Sequence, residues 1–280
     1  LRYDKHSQYG AAFAPRVSVT RIFNKLHMKL LFGSAFRTPS IDEIDLNYYL
    51  PPAKSEPEIT PERAKIHEIE IGYMFNSEMT IICNFYRSRI DNTILFTYSS
   101  EGGEGGEGYD NSGTSGSNGL ELEARLRKDW GYLTANYSYY TTSSSLRGVP
   151  YYLPGDRIGP LLGSAQHKLS LYGSYNLSTG LTLNPSLNYL SERYAYTHLD
   201  ETSGEMTLST LDPIILANLY VQYKDSFSKG LTLGIGVYNI LDVEYKFIQA
   251  YNGAHPPLPG QSRRLVAKLS YNLNLVKMKP

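Results

Sequence analysis

Apolar and polar residues alternate with a period of two along most of this chain. Near its end, Leu265, Ala267, Leu269, Tyr271 and Leu273 fall on one face, while Arg264, Val266, Lys268, Ser270 and Asn272 fall on the other. Successive side chains of a strand point to opposite sides, so this segment predicts a strand with one apolar face. Leu231, Leu233, Ile235 and Val237 alternate with Thr232, Gly234, Gly236 and Tyr238 in the same way. Together the two segments predict a hairpin, joined by a long polar loop over residues 243–261.

The same reading extends back along the chain. After a stub at residues 1–4, strands are predicted at 13–23, 26–36, 63–75, 79–96, 119–127, 131–141, 166–176, 181–193 and 213–223, ahead of the hairpin just described. The connection over 37–62 carries Pro39, Pro51, Pro52, Pro57 and Pro61, which deny it a hydrogen-bonded ladder. Within it, residues 40–46 predict a helical turn capped by Ser40. Residues 98–118 are built on a repeated Glu-Gly-Gly and predict a loop, as do 142–165 and 194–212. Connections therefore alternate between short turns of about two to seven residues and loops of about nineteen to twenty-six. In an antiparallel meander every second connection lies at the same end, so the short turns share one rim and the long loops the other.

Alternation alone does not say whether the apolar face looks toward a core or toward lipid, and a soluble β-sandwich is the ordinary alternative. Three features favour a transmembrane barrel. Most predicted strands run to about nine to thirteen residues, near the length that crosses a bilayer at a tilt and above the soluble mode of about five or six. Charges sit mid-strand on the polar face, as with Glu68 and Glu70, or Glu121, Glu123, Arg125 and Arg127, opposite Leu120, Leu122, Ala124 and Leu126. Arg or Lys facing hydrocarbon at the midplane would cost about 2–4 kcal/mol each, so this face must enclose a wet or protein-filled interior. Tyrosines gather at strand ends, Tyr73, Tyr132, Tyr175 and Tyr223 toward the short-turn rim and Tyr139, Tyr140, Tyr189 and Tyr194 toward the long-loop rim. Amphipathic rings are most stable at headgroup level, so the two sets predict two girdles.

Composition narrows the function. The 280 residues hold 27 acidic and 27 basic side chains, a balance that argues against a sequence-independent grip on nucleic acid. Tyrosine is the outlier, at 25. The one cysteine, Cys83, excludes an intrachain disulfide and reads as a small apolar strand residue. No apolar run reaches the length of a membrane-spanning helix, and residues 1–4 read as a strand end rather than as a signal peptide.

Four motifs resemble those of TonB-dependent outer-membrane receptors. Phe36-Arg37-Thr38-Pro39 resembles that family's Phe-Arg-Ala-Pro segment, and Glu56-Pro57-Glu58-Ile59-Thr60-Pro61-Glu62 resembles its Asn-Pro-x-Leu-x-Pro-Glu stretch. Asn239-Ile240-Leu241-Asp242-Val243-Glu244-Tyr245 is similar to its closing Asn-Leu-Phe-Asp-x-x-Tyr, and Pro259-Gly260-Gln261-Ser262-Arg263-Arg264 to the Pro-Gly-Arg entering its last strand. The resemblance implies an all-β, 22-stranded transmembrane antiparallel barrel in the bacterial outer membrane, with an N-terminal plug in its lumen. It implies a ligand-gated importer of a ferric siderophore or similar metal chelate, energised through the TonB system and surrounded by outer-membrane lipid. Eleven predicted strands and a stub, with no recognisable plug or TonB-contacting segment, mark residues 1–280 as the C-terminal portion of such a barrel. The residues after Leu273 also depart from the family, whose last strand ends on an aromatic.

No catalytic arrangement, resident cofactor or metal site is legible. Gly103-Glu-Gly-Gly-Glu-Gly108 fits a dinucleotide pattern formally, but no strand-to-helix unit surrounds it and its glutamates would repel phosphate. Recognition is left to the long loops, where the ligand-contacting candidates are Arg37, Tyr48, Tyr49, Tyr109, Arg147, Tyr151, Tyr152, Tyr196, His198, Tyr251, His255 and Arg263. Aromatic rings can stack on planar ligands, and arginines can pair with an anionic chelate. Cobalamin, heme and oligosaccharide receptors share the scaffold, and a passive porin shares the strand pattern. The absence of any histidine from 37 to 56 weighs against heme.

Overall fold

The computed structural model describes residues 1–7, 9–49, 59–99, 106–111, 113–142, 153, 159–199, 206–225, 227–248 and 257–272. They form two compact units, Leu1–Ile71 with Cys83–Leu120 and Tyr140–Leu162, and Gly72–Ile82 with Glu121–Tyr139 and Gly163–Pro280.

Eleven strands make one sheet. In chain order they are β3 (Arg16–Phe23), β4 (Leu26–Arg37), β5 (Glu62–Met74), β6 (Met79–Asp91), β9 (Thr114–Lys128), β10 (Gly131–Thr141), β11 (His167–Ser178), β12 (Leu181–Leu190), β15 (Ile214–Lys224), β16 (Leu231–Tyr238) and β19 (Arg264–Tyr271). The sheet order is β19-β16-β15-β12-β11-β10-β9-β6-β5-β4-β3, with each main strand beside its predecessor. Eight further strands pair two by two outside this sheet: β1 (Arg2–His6) with β2 (Gly10–Ala14), β7 (Ile94–Ser99) with β8 (Gly106–Asn111), β13 (Arg193–Leu199) with β14 (Met206–Leu211), and β17 (Lys246–Phe247) with β18 (Leu258–Pro259).

Register shows why the alternation matters. Residues paired across an antiparallel ladder share a face. From β10 to β19 the pairs Ala135↔Leu171, Leu171↔Leu187, Leu187↔Ala217, Val221↔Ile235 and Ile235↔Ala267 link one face across six strands. On β11, β12, β15, β16 and β19 that face, running from His167 to Tyr175, 181 to 189, 215 to 223, 231 to 237 and 265 to 271, carries no Asp, Glu, Lys or Arg. The opposite face of the same strands holds Lys168, Asn188, Asn218, Gln222 and Lys268.

Among the described residues no protein layer covers the apolar face. Ile235 is 63 % exposed, Leu265 74 % and Leu269 68 %, whereas a soluble sandwich would bury these residues in its centre. The buried hydrophobic side chains among the described residues, including Ile59, Ile94, Leu95, Leu162 and Ile214, lie at the long-loop ends of strands or in the loops themselves.

Several expectations require correction. The predicted strand at 13–23 divides at Pro15, whose missing N–H breaks the ladder between β2 and β3. The strand at 79–96 ends at Asp91, where Asn92 turns the chain with φ 57° and starts β7. Residues 106–111 and 114–118, expected in a loop, are β8 and the start of β9, and the expected loop at 194–212 holds most of the β13–β14 hairpin. The turn at 40–46 is a longer helix, α1 (Ile41–Tyr49). Tyr175, Tyr189 and Tyr223 lie on the apolar face as a girdle requires, but Tyr132 pairs with Ser174 on the polar face, and Tyr140 follows it by alternation.

On the polar face Tyr220 lies flat over Gly234 and Gly236, where a Cβ would collide with its ring. Gly234→Val is expected to lower unfolding free energy by about 1–3 kcal/mol through overpacking, and adding Tyr220→Ala to relieve part of that loss. Denaturant unfolding of the folded protein checks both.

Candidate functional site

Two side-chain networks organise the long-loop end. The first is built on Arg37, the last residue of β4. Its Nη1 donates to both oxygens of Glu43 at 2.9 and 3.0 Å, and its Nε donates to Glu62 Oε2 at 2.8 Å. Glu62 Oε1 accepts the Ile94 N–H at 2.7 Å, so one arginine and one glutamate join β4, α1, β5 and β7. Glu43 also closes a capping box: its Oε2 accepts the Ser40 N–H at 2.6 Å, and its own N–H donates to Ser40 Oγ at 3.2 Å. Nearby, Asn111 Oδ1 accepts the Thr60 N–H at 2.7 Å, and its Nδ2 donates to Thr60 O and Asn92 O at 3.0 and 2.8 Å.

Arg37 and Glu62 stand at the long-loop ends of their strands, on the polar face. Burial pushes the Glu62 carboxyl up, but hydrogen bonds from Arg37 and Ile94 and the Arg37 charge outweigh it, leaving the group below its ordinary value of 4.5. The same pairing raises the Arg37 guanidinium above its usual range.

The second network seals the base of the β16–β19 connection. Asn239, 5 % exposed and at φ 51°, donates its N–H to Asn218 Oδ1 at 2.8 Å. Its Nδ2 donates to Val243 O at 3.0 Å and Gln261 O at 3.1 Å, while its Oδ1 accepts the Val243 N–H at 2.9 Å. Asp242 Oδ1 accepts the Arg263 N–H at 2.8 Å, and Arg263 Nε donates to Ile240 O at 3.1 Å. Gly260 N donates to Tyr245 O at 2.7 Å, and a Cβ at Gly260 would enter the Tyr245 ring. The Asn239-x-x-Asp242-x-x-Tyr245 spacing is therefore a clasp whose three side chains hold the returning strand.

Beside the clasp lies an open cavity of about 590 Å³, walled by Arg193, Asp212, Asp242, Glu244, Lys246 and Ser262 among others. Arg193 is 7 % exposed; its Nη1 donates to Lys246 O at 3.2 Å and its Nε has no partner. Burial pushes this guanidinium down from its ordinary value. The sequence reading ended a strand at Arg193 and carried no signal for this role.

The loop-borne candidates divide. Arg37 and Arg263 are committed to the two networks, so each holds scaffold whether or not it also meets a ligand. Tyr109 sits on β8, its ring 5.3 Å from Phe96 in an edge-on contact across the β7–β8 pair. Tyr196 and His198 lie on β13 opposite Leu208 and Thr207, where a register shift separates them. Tyr48 and Tyr49 belong to α1, whose neighbour is β8, but their side chains lie outside the described residues. Arg147, Tyr151, Tyr152, Tyr251 and His255 also lie outside the described residues.

Two outcomes follow from the networks. Glu62→Gln removes the charge Arg37 needs and weakens acceptance of the Ile94 N–H, so a loss of about 1–3 kcal/mol is expected. Because folding lowers the Glu62 pKa, its contribution is complete above the ordinary value and fades as pH falls through the depressed one, so thermal melts of the two proteins should converge only in acid below the ordinary carboxylate range. Asn239→Ala leaves backbone groups of Val243 and Gln261 without their side-chain partner, and is expected to speed proteolysis of the β16–β19 connection severalfold while leaving strand content by circular dichroism unchanged.

A family model described as TonB dependent receptor-like, beta-barrel, matches residues 1–240. No curated protein matches in sequence. Among solved structures, a mutant of the ferric enterobactin receptor from Pseudomonas aeruginosa in complex with enterobactin aligns at TM-score 0.72 and 16 % identity over 96 % of this chain and 42 % of that one. The ferripyoverdine receptor of the outer membrane of Pseudomonas aeruginosa, bound to ferripyoverdine, aligns at TM-score 0.73 and 14 % identity over 94 % of this chain and 33 % of that one. At such identities the likeness is one of fold, and this chain spans about two fifths and one third of those receptors. Receptors of this family are transporters rather than enzymes. With most of its length matched by the family model, the chain belongs to the TonB-dependent receptors and forms part of their β-barrel.

Proposed function

We propose that the chain is the C-terminal portion of the barrel of an outer-membrane receptor that imports a ferric siderophore or similar metal chelate, with energy delivered through TonB. The observation that carries this reading is the uncovered apolar face of β10 to β19, a surface suited to hydrocarbon, on a chain of this family. Receptors of similar fold were solved with enterobactin and with ferripyoverdine. Ligand capture falls to the hairpins and loops beyond the Arg37 and Asn239 networks, and the plug and the segment that meets TonB belong to the remainder of the protein.

Strand parity supports a longer partner sequence over self-association. In the eleven-stranded meander β3 and β19 run in the same direction. A second copy inserted in the same membrane orientation would set parallel neighbours at both seams, whereas strands that continue the meander keep every pairing antiparallel.

Growth of a strain deleted for the gene, on medium where one ferric siderophore at a time is the sole iron source, tests the transport reading. Loss of growth on a particular chelate, restored by the gene only when TonB is present, is expected. Growth independent of TonB, with open conductance of the purified protein in planar bilayers, would establish a passive porin instead. Orientation is checked separately: Leu187→Lys on the apolar face should lower stability in vesicles by about 2–4 kcal/mol, and Ser186→Lys beside it by less than about 1 kcal/mol.

A further inference from the structure

The hairpin β5–β6 breaks the rule that the outward face is uncharged. Exposure alternates along β5 as far as Tyr73, and the exposed odd-numbered set is Arg63, Lys65, His67, Ile69, Ile71 and Tyr73. On β6 the exposed set is Phe85, Arg87 and Arg89. Phe75 donates its N–H to Met79 O at 3.0 Å, and that register carried up the hairpin sets Ile69 opposite Phe85, His67 opposite Arg87 and Lys65 opposite Arg89. The His67 ring lies 5.0 Å from Phe32 of β4, on the side where Leu30 is 53 % exposed. The cations thus share the apolar face.

The acids of β5 are on the other side. Glu62, Glu68 and Glu70 alternate with the cations, Glu62 bound to Arg37 and Glu70 to His27 at 2.7 Å. Of the outward cations Arg89 pairs with Asp91 at 2.7 Å, while Arg63, Lys65 and Arg87 have no carboxylate within ion-pair distance among the described residues. Charge segregation on one strand leaves a net positive patch that no carboxylate among the described residues neutralises.

Its depth selects the partner. A tilted strand crosses the hydrocarbon in about nine to eleven residues, which is about five outward positions. β15 supplies five uncharged ones from Ile215 to Tyr223, but β5 with Phe75 just after it supplies four, Ile69, Ile71, Tyr73 and Phe75. His67 and Arg87 therefore fall at the inner edge of the headgroup layer on the long-loop side, with Lys65 and Arg63 within the layer just above them. Long cationic side chains there extend toward headgroups, and guanidinium forks match phosphate oxygens in pairs.

We propose that Arg63, Lys65, His67 and Arg87 form a site for the phosphate groups of a membrane lipid, with its acyl chains lying on Ile69, Ile71 and Phe85. The site rests on the membrane-barrel reading above. A lipid fits better than free phosphate because the apolar residues directly below the cations offer a headgroup nothing and acyl chains a surface.

The test uses the full-length receptor in detergent, titrated with bis-phosphorylated lipid A and followed by native mass spectrometry. Retention of one lipid is expected, weakened at least about tenfold in Lys65→Gln/Arg87→Gln, unchanged in the polar-face control Lys168→Gln, and lost when the lipid is dephosphorylated. Excess inorganic phosphate should compete poorly. Heat-modifiable electrophoretic mobility confirms that each variant is folded. Equal retention by wild type and double variant, or full competition by inorganic phosphate, overturns the site. Failure of the folded wild-type protein to float with phosphatidylcholine vesicles would instead overturn the membrane reading, so the two failures are distinguishable.

Discussion

Hydrocarbon offers a backbone no hydrogen-bonding partner, and on the membrane reading proposed above that constraint shapes everything else in this chain. A strand in such a medium must satisfy its N–H and C=O groups against neighbours, which demands long, regular ladders. Once the ladders are fixed, a period of two decides which side chains meet lipid and which meet the interior. The unbroken links from Ala135 through Leu171, Leu187 and Ala217 are the visible result. Stability then comes from continuous pairing and, on the proposed membrane reading, from lipid contact in place of a central core. What side-chain burial exists is concentrated where the strands leave the bilayer.

At that end regular pairing gives way to side-chain bonding. Arg37 with Glu62 gathers three strands and a helix, while Asn239 with Asp242 and Tyr245 closes the last connection. Both use polar side chains to hold backbone that has left the sheet. Motifs that read as family signatures in the sequence thus have a local physical meaning. Phe36-Arg37 and Pro61-Glu62 are two halves of one contact, separated in sequence by a connection that turns back on itself.

Sequence alone revealed the main sheet because alternation is strongest where one face of a sheet is apolar and the other polar. All eleven of its strands were legible, with ends displaced by a few residues. The small hairpins were not, for identifiable reasons. β8 reads Gly-Glu-Gly-Tyr-Asp-Asn, a turn-like composition that becomes a strand only by pairing with β7. β13 does alternate, Tyr194, Tyr196 and His198 against Arg193, Ala195 and Thr197, but an expected loop hid it. Pro15 and Asn92 break long runs at positions where hydrophobicity continues, so pattern alone ran through them. The face of Tyr132 depended on counting parity from the turn, and the burial of Arg193 depended on contacts with residues about fifty positions away.

The Asn239 clasp has an evolutionary corollary. Because backbone is tied to backbone at its base, the strands on either side do not sense the length of chain that departs and returns above it. Lengthening that excursion costs only the slowly growing entropy of a closed loop, about 0.6 kcal/mol per doubling. Descendants of this gene can accept insertions there while the sheet they inherit stays in register.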